Sequence, residues 1–176
     1  MDRGDVLRAH DQFAEAEAAY SRALERVATE QAGHWVIYYV RGMVRERQGK
    51  WDSAERDLER ALDLNPDQPL VLNYLAYSWV DRGEHLEKAR GMLERAMEQR
   101  PRDGFIVDSV GWALYRLGDY ANAVERLERA VSLQPRDPVI NDHLGDAYWA
   151  VGRALEARFQ WERALDLDPP EERAAD

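Results

Sequence analysis

The sequence predicts an all-α fold, a solenoid of antiparallel helix hairpins wound into a right-handed superhelix. Three observations lead there. Small residues recur at Gly42, Ala76, Gly111 and Gly145, separated by 34, 35 and 34 residues. Prolines recur at Pro66, Pro101, Pro135 and Pro169 with the same spacings. Between these marks apolar residues return every three or four positions, as on one face of a helix, and no segment alternates as a strand would. A fixed period of this size marks a repeat array, in which each unit buries its apolar face against its neighbours.

The elements follow in order. Residues 33–66 carry Trp35, Gly42, Gly49, Ala54, Leu58, Ala61 and Pro66. Residues 67–101 carry Leu72, Ala76, Gly83, Ala89, Leu93, Ala96 and Pro101 in the same phase. Residues 102–135 carry Val107, Gly111, Gly118, Ala123, Leu127, Ala130 and Pro135, and residues 136–169 carry Asn141, Gly145, Gly152, Ala157, Trp161, Ala164 and Pro169. Mid-helix glycine costs about 1 kcal/mol of helix propensity against alanine. Its recurrence at 42, 111 and 145 therefore predicts a close crossing by the paired helix. Ala54, Ala89, Ala123 and Ala157 are the opposing small residues, while Leu58, Leu93, Leu127 and Trp161 fill the space between hairpins. Gly49, Gly83, Gly118 and Gly152 end the first helices, where a left-handed residue is favourable. The closing prolines stop the second helices, and Pro69 and Pro138 are placed to open the next ones. The additional residue of the 35-residue period lies in the turn Gly83-Glu84-His85-Leu86. First helices are expected over 33–47, 68–81, 103–116 and 137–150, and second helices over 51–64, 86–99, 120–133 and 154–166.

Residues 10–28 match a second helix only, with Ala16, Tyr20 and Ala23 at the phase of Ala54, Leu58 and Ala61. A partner first helix would begin before residue 1, and Asp2 to Ala9 remain as a stub. The expectation is a truncated piece of a longer array. Phe13 and Tyr20 would lack their partner and favour self-association through residues 1–28, unless Asp2 to Ala9 fold over them. Pro169-Pro170 and the polar tail 170–176 suggest a finished C-terminal end.

Composition narrows the function. The chain has 176 residues, with 24 Lys and Arg against 34 Asp and Glu, a net charge of −10. Such a surface lacks the positive footprint that nucleic-acid phosphates need. With no cysteine, disulfides, cysteine zinc sites and thiol nucleophiles are excluded. No apolar run is long enough to span a bilayer, so direct membrane insertion is not expected.

The seven aligned positions in four tandem units resemble the tetratricopeptide repeat (TPR) family. That resemblance covers residues 33–169. It implies that the first helices build a concave wall whose ligand contacts concentrate at the second, fifth, ninth, twelfth and thirteenth positions of each repeat. Counted from Trp35, Pro69, Gly104 and Pro138, the wall shows the stripes Tyr39/Met43/Glu46, Asn73/Tyr77/Val80, Asp108/Trp112/Tyr115 and Asp142/Asp146/Trp149. The candidate groove residues are Tyr39, Met43, Asn73, Tyr77, Asp108, Trp112, Tyr115, Asp142, Asp146 and Trp149. Aromatic rings on a rigid helix are frequent binding anchors. The competing reading is that Trp112 and Trp149 pack against the neighbouring first helix as core. An amide at Asn73 can pair with both the N–H and the C=O of an extended peptide. TPR proteins that clamp a C-terminal carboxylate use lysine, arginine and asparagine. Here only Asn73 survives beside Tyr39, Asp108, Asp142 and Asp146, and unpaired acids would repel a carboxylate.

Catalytic chemistry has no motif to stand on. There is no glycine-rich phosphate loop, His-Glu-x-x-His pair or serine elbow. The four histidines are His10, His34, His85 and His143. His143 points about 100° away from Asp142 around its helix, which favours a structural, hydrogen-bonded histidine over a metal ligand. No catalytic residue, metal or cofactor is expected.

Three strings extend beyond the generic pattern: Asn73-Tyr74-Leu75-Ala76-Tyr77, the segment from Asp108 through Tyr120, and the segment from Asn141 through Arg153 followed by Glu156 to Trp161. They resemble the C-terminal repeats of large bacterial TPR proteins. Many of these are outer-membrane lipoproteins, and some are adaptors for a periplasmic C-terminal processing protease that promote degradation of cell-wall hydrolases. The resemblance implies a non-enzymatic scaffold or adaptor, periplasmic or outer-membrane associated in the full-length protein, with a protein or peptide partner. The alternatives are a purely structural or oligomerisation module with no groove ligand, and a cytoplasmic location.

Overall fold

The structure, a computed structural model, describes residues 2–168. Among them are ten α-helices and no strand. The chain divides into two compact units, Met1–Leu75 and Ala76–Asp176, and the division falls inside one helix. The closing Pro169 and the tail 170–176 lie outside the described residues.

The first unit contains α1 (Asp2–Ala9), α2 (Phe13–Glu25), α3 (Trp35–Arg47), α4 (Trp51–Leu64) and the N-terminal half of α5 (Pro69–Arg82). A single 3-10 turn, Ala32–His34, leads into α3. Ala16, Tyr20, Val40 and Val44 form its buried cluster, with Leu7, Phe13, Ile37 and Tyr39 packed around them. The segment expected to be a stub is α1, and it serves as the first helix of the opening repeat. Tyr20 is accordingly 0% exposed, and its hydroxyl donates to Asp5 at 2.9 Å. Phe13 is half-buried. The exposed apolar flank that favoured self-association through residues 1–28 is therefore covered, and the fold-over alternative holds.

The reason lies at Gly4. A methyl group placed there would stand 2.5 Å from the Tyr20 ring. Equivalent methyls at Gly111 and Gly145 would stand 2.6 Å from Leu127 and 2.5 Å from Trp161, and one at Gly42 would stand 3.0 Å from Leu58. The partners are 20 − 4, 58 − 42, 127 − 111 and 161 − 145 apart, 16 residues in every case. Gly4 thus holds the crossing-point phase of a first helix.

A charged lattice braces the same unit. Asp57, 4% exposed, accepts from Arg41 Nε and the second Arg41 nitrogen at 2.8 and 2.7 Å, and from Arg45 at 2.9 Å. Arg45 also reaches Glu17 at 2.9 Å, joined there by Gln48 at 3.0 Å and Lys50 at 2.7 Å. Burial alone would raise the Glu17 carboxyl, but the bonds from Lys50, Arg45 and Gln48 outweigh it and hold the group at about 2.

The second unit contains the rest of α5, then α6 (Leu86–Gln99), α7 (Gly104–Arg116), α8 (Tyr120–Leu133), α9 (Pro138–Ala150) and α10 (Ala154–Leu167). Val107, Ala130 and Ile140 form a buried cluster edged by Met97, Val131 and Leu133. Asp103 caps α7 by accepting from the backbone N–H of Phe105 and Ile106, and Asp137 caps α9 by accepting from Ile140. Pro138 opens α9 as expected. The extra residue before α6 is absorbed by two left-handed residues, Gly83 at φ 72° and His85 at φ 49°. On α10, Leu155 is 84% exposed and Phe159 59% exposed. The same phase in earlier repeats carries Asp52, Glu87 and Ala121, and Arg56, Gly91 and Glu125, so this outer face is apolar in the last repeat alone among the four.

Candidate functional site

The first helices carry the candidate residues, and each unit assembles its own share. In the first unit, Tyr39 is half-buried, and its ring meets Tyr74 edge-on, with centroids 5.9 Å apart, and Trp35 at 6.1 Å. Burial pushes the Tyr39 hydroxyl up. The Tyr74 hydroxyl donates to Glu46 at 3.1 Å and is pushed well above its ordinary range by burial and then by that carboxylate. Met43 is half-buried beside them. The Asn73 amide oxygen is covered and has no hydrogen-bond partner among the described residues.

In the second unit the sequence stripes lie on α7 and α9, with Tyr77 on α5. Val80 is 0% exposed and belongs to the core, not the wall. Asp108 is also buried, at 5%, and accepts from His143 Nδ1 at 3.0 and 3.1 Å. The expected unpaired acid is thus paired. Because a carboxylate only accepts, this bond assigns the Nδ1 proton to His143. Trp112 then stacks on His143 with centroids 4.1 Å apart and planes 9° from parallel, and on Tyr115 at 4.8 Å and 8°. Tyr77 lies 6.5 Å from the His143 ring. Burial, and then Asp108, push the Tyr77 hydroxyl up to about 12. Trp112 therefore has packing partners of its own, as the core reading expected, while remaining only half-buried.

The exposed part of this wall lies at its ends and along α9. Trp149 is 62% exposed and leans on Trp161 at 5.8 Å. Asp142 is exposed. Asp146 accepts from the Trp161 indole N–H at 3.1 Å, while burial and then Asp142 push its carboxyl up. Two residues were missed by the sequence stripes. Phe105 is 53% exposed and Val139 51% exposed. Both occupy the second position of their repeats, so the same counting locates them. They continue the faces 105/108/112/115 and 139/142/146/149, which advance by three and four residues. His143 is the structural, hydrogen-bonded histidine that its helical phase led one to expect, but its partner Asp108, 35 residues away, was not identified from the sequence.

Among the described residues no group of three His, Cys, Asp or Glu is placed to hold a metal ion, and no helix is long and apolar enough to cross a membrane. His143 and Asp108 are sealed among rings, so the pair fixes the wall's shape.

Comparisons with known proteins agree with this geometry. Residues 39–104 match the family described as tetratricopeptide repeat, and residues 111–152 match one described as TPR repeat. A TPR repeat-containing protein of Pseudomonas aeruginosa is 34% identical over 87 residues, 49% of this chain and 15% of that protein's length. The chain therefore spans only a small part of that relative. Among solved structures, a thermophilic TPR protein of Thermus thermophilus superposes with a TM-score of 0.75 at 22% identity, covering 98% of this chain and 92% of that one. MamA superposes with a TM-score of 0.73 at 22% identity, covering 100% and 99%. These two likenesses concern the fold. TPR proteins are typically non-enzymatic scaffolds for protein–protein interaction. Period, hairpins and matches agree that the chain is a tetratricopeptide repeat protein.

Proposed function

We propose that the chain is a scaffold or adaptor module whose first-helix wall in the second unit holds a peptide segment or a partner helix. One observation carries this reading. Val139 and Trp149 are exposed apolar side chains on the same face of α9 as Asp142 and Asp146, and the exposed Phe105 continues the Asp108/Trp112/Tyr115 face of α7. Apolar groups gathered in water around an acidic centre mark an association surface. The acids cost desolvation unless the partner supplies Arg, Lys or backbone N–H groups. The bound segment accordingly mixes basic with aromatic or aliphatic residues. In the first unit, Asn73, Tyr39 and Met43 are the corresponding contacts.

The wider setting rests on the resemblance to large bacterial TPR proteins, supported by the relative in Pseudomonas aeruginosa. In that setting the full-length protein is periplasmic or outer-membrane associated, and a periplasmic processing protease is the partner to test first. The experiment is capture from a periplasmic extract followed by calorimetry on the isolated partner. Trp149→Ala and Phe105→Ala are each expected to weaken binding by about 2 kcal/mol with helicity unchanged. Asp142→Asn should cost less, and its effect should shrink as salt rises. Trp112→Ala should weaken binding and also lower stability, since its ring is stacked. Full affinity in Trp149→Ala and Phe105→Ala would move the surface off this wall, and a chain that binds no partner would favour the purely structural role.

A further inference from the structure

The first unit contains a half-open cavity of about 250 Å³. Its lining includes Arg8 near the end of α1, Asp11 in the turn that follows, Phe13 of α2, Met43 and Arg47 of α3, and Tyr74 of α5. In a chain of net charge −10 this hollow faces two guanidiniums and one carboxylate. The same unit shows what a satisfied arginine looks like, since Arg41 and Arg45 are matched to Asp57 and Glu17. Arg8 and Arg47 make no ion pair among the described residues; the Arg8 guanidinium lies beside the Tyr20 hydroxyl, and its Nε is covered without a hydrogen-bond partner. A guanidinium partly withdrawn from water with bonds unmade is a cost that a planar carboxylate removes, because the two groups match as a fork.

The rest of the lining chooses the body of that ligand. Phe13, Met43 and the buried Val44 are apolar. Tyr74 spends its hydroxyl on Glu46 and offers the cavity its ring. Size sets the limit. An apolar cavity of about 150 Å³ holds benzene, and pockets for drug-sized ligands start at about 300 Å³. The present volume fits one benzene-sized group carrying a single charged group. Asp11 disfavours a second carboxylate.

We propose that this cavity binds a monocarboxylate on an aromatic or branched aliphatic body, with Arg8 and Arg47 as its ligands and Phe13, Met43 and Tyr74 as its walls. Neither arginine lies at the fifth- and ninth-position sites where the sequence departs from a carboxylate clamp. One comes from the short α1 and the other from the end of α3. The proposal concerns the first unit alone; it shares Met43 with the groove contacts there, while Arg8 and Arg47 belong to the cavity only.

The same chemistry is carried by a free acid and by the terminal residue of a peptide, and the test separates them. Phenylacetate, its neutral amide phenylacetamide, and acetyl-glycyl-phenylalanine are titrated into the whole chain, read by calorimetry and by amide NMR shifts in α1 and α3. Phenylacetate is expected to saturate and phenylacetamide not to bind. Arg47→Gln, an exposed substitution, should weaken phenylacetate about tenfold with helicity unchanged, and Asp11→Asn should tighten it. Arg8→Gln should act as Arg47→Gln does; if it loosens α1, Arg47→Gln still decides. Tighter binding of the peptide acid identifies a chain end as the ligand, and equal or weaker binding identifies a free acid. Equal binding of the amide, no saturation by either acid, or unchanged affinity in Arg47→Gln would overturn the proposal.

Discussion

Gly145 shows how one atom decides a hairpin. Alanine there would gain about 1 kcal/mol of helix propensity. Its methyl, however, would stand 2.5 Å from Cδ1 and Nε1 of Trp161, a rigid ring that also bonds Asp146. Overpacking of this kind costs about 1–3 kcal/mol, and a ring that cannot fold aside sits at the upper end. Gly145→Ala is therefore expected to destabilise the chain by about 1–2 kcal/mol in denaturant unfolding, against the helix-propensity trend. Glu17 gives the residue-scale response to acid. Its folded carboxyl titrates at about 2, against an ordinary 4.5. A depressed carboxyl contributes stability above its unfolded value and loses it as pH falls through the folded one, so the loss runs from about pH 4.5 down to about pH 2. Glu17→Gln should cost about 1 kcal/mol at neutral pH and flatten the stability–pH curve across that window. An unchanged acid limb would show the lattice to be idle.

At the scale of elements, eight of the ten helices were legible because each is bounded by its own chemistry. Glycine at positive φ closes the first helices at Gly49, Gly83, Gly118 and Gly152, and aspartate, proline and the apolar period mark the other ends. The observed bounds, such as Gly104–Arg116 and Tyr120–Leu133, fall within a residue or two of those expected. The second helix at Phe13–Glu25 was visible as well. The first, α1, was not, because Asp2-Arg3-Gly4-Asp5-Val6-Leu7-Arg8-Ala9 has only two large apolar residues and a central glycine. Eight such residues do not hold a helix by propensity; docking on Tyr20 does it. Gly4→Ala should therefore undo the element while leaving the array folded. Hydrogen exchange of the α1 amides should rise sharply, with those of α3 and α4 unchanged, and retained α1 protection would refute the docking account. The geometry of the candidate site was legible only in part. Helical phase put Asp142, Asp146 and Trp149 on one face of α9, but which carboxylate meets a histidine depends on how α7 and α9 pack. Periodicity along one helix does not contain that information.

For the whole molecule, charge is the property that composition announces and structure qualifies. The net charge of −10 opposes compaction by self-repulsion. Most ion pairs, such as Arg82–Glu84, Arg90–Glu87 and Arg158–Glu162, are solvent-exposed and worth little. The Arg41–Asp57 pair is withdrawn from water and barely screened. Added salt should thus relieve more repulsion than it weakens attraction. Between low and physiological ionic strength the melting midpoint is expected to rise by about 2–4 °C, equivalent to about 1 kcal/mol at this size. A fall would mean that exposed pairs carry more of the fold than their accessibility suggests.

The ring arrangement around His143 also makes the chain its own optical instrument. Trp79, at 1% exposure, should emit toward the blue, and Trp149, at 62%, toward the red. Trp112, parallel to an imidazole at 4.1 Å and a phenol at 4.8 Å, has two partners able to drain its excited state and should contribute little light. The red edge of the emission then reports chiefly on Trp149. A segment settling on α9 would shift that edge to shorter wavelength without any label, and Trp149→Phe would erase the signal while leaving the blue component in place.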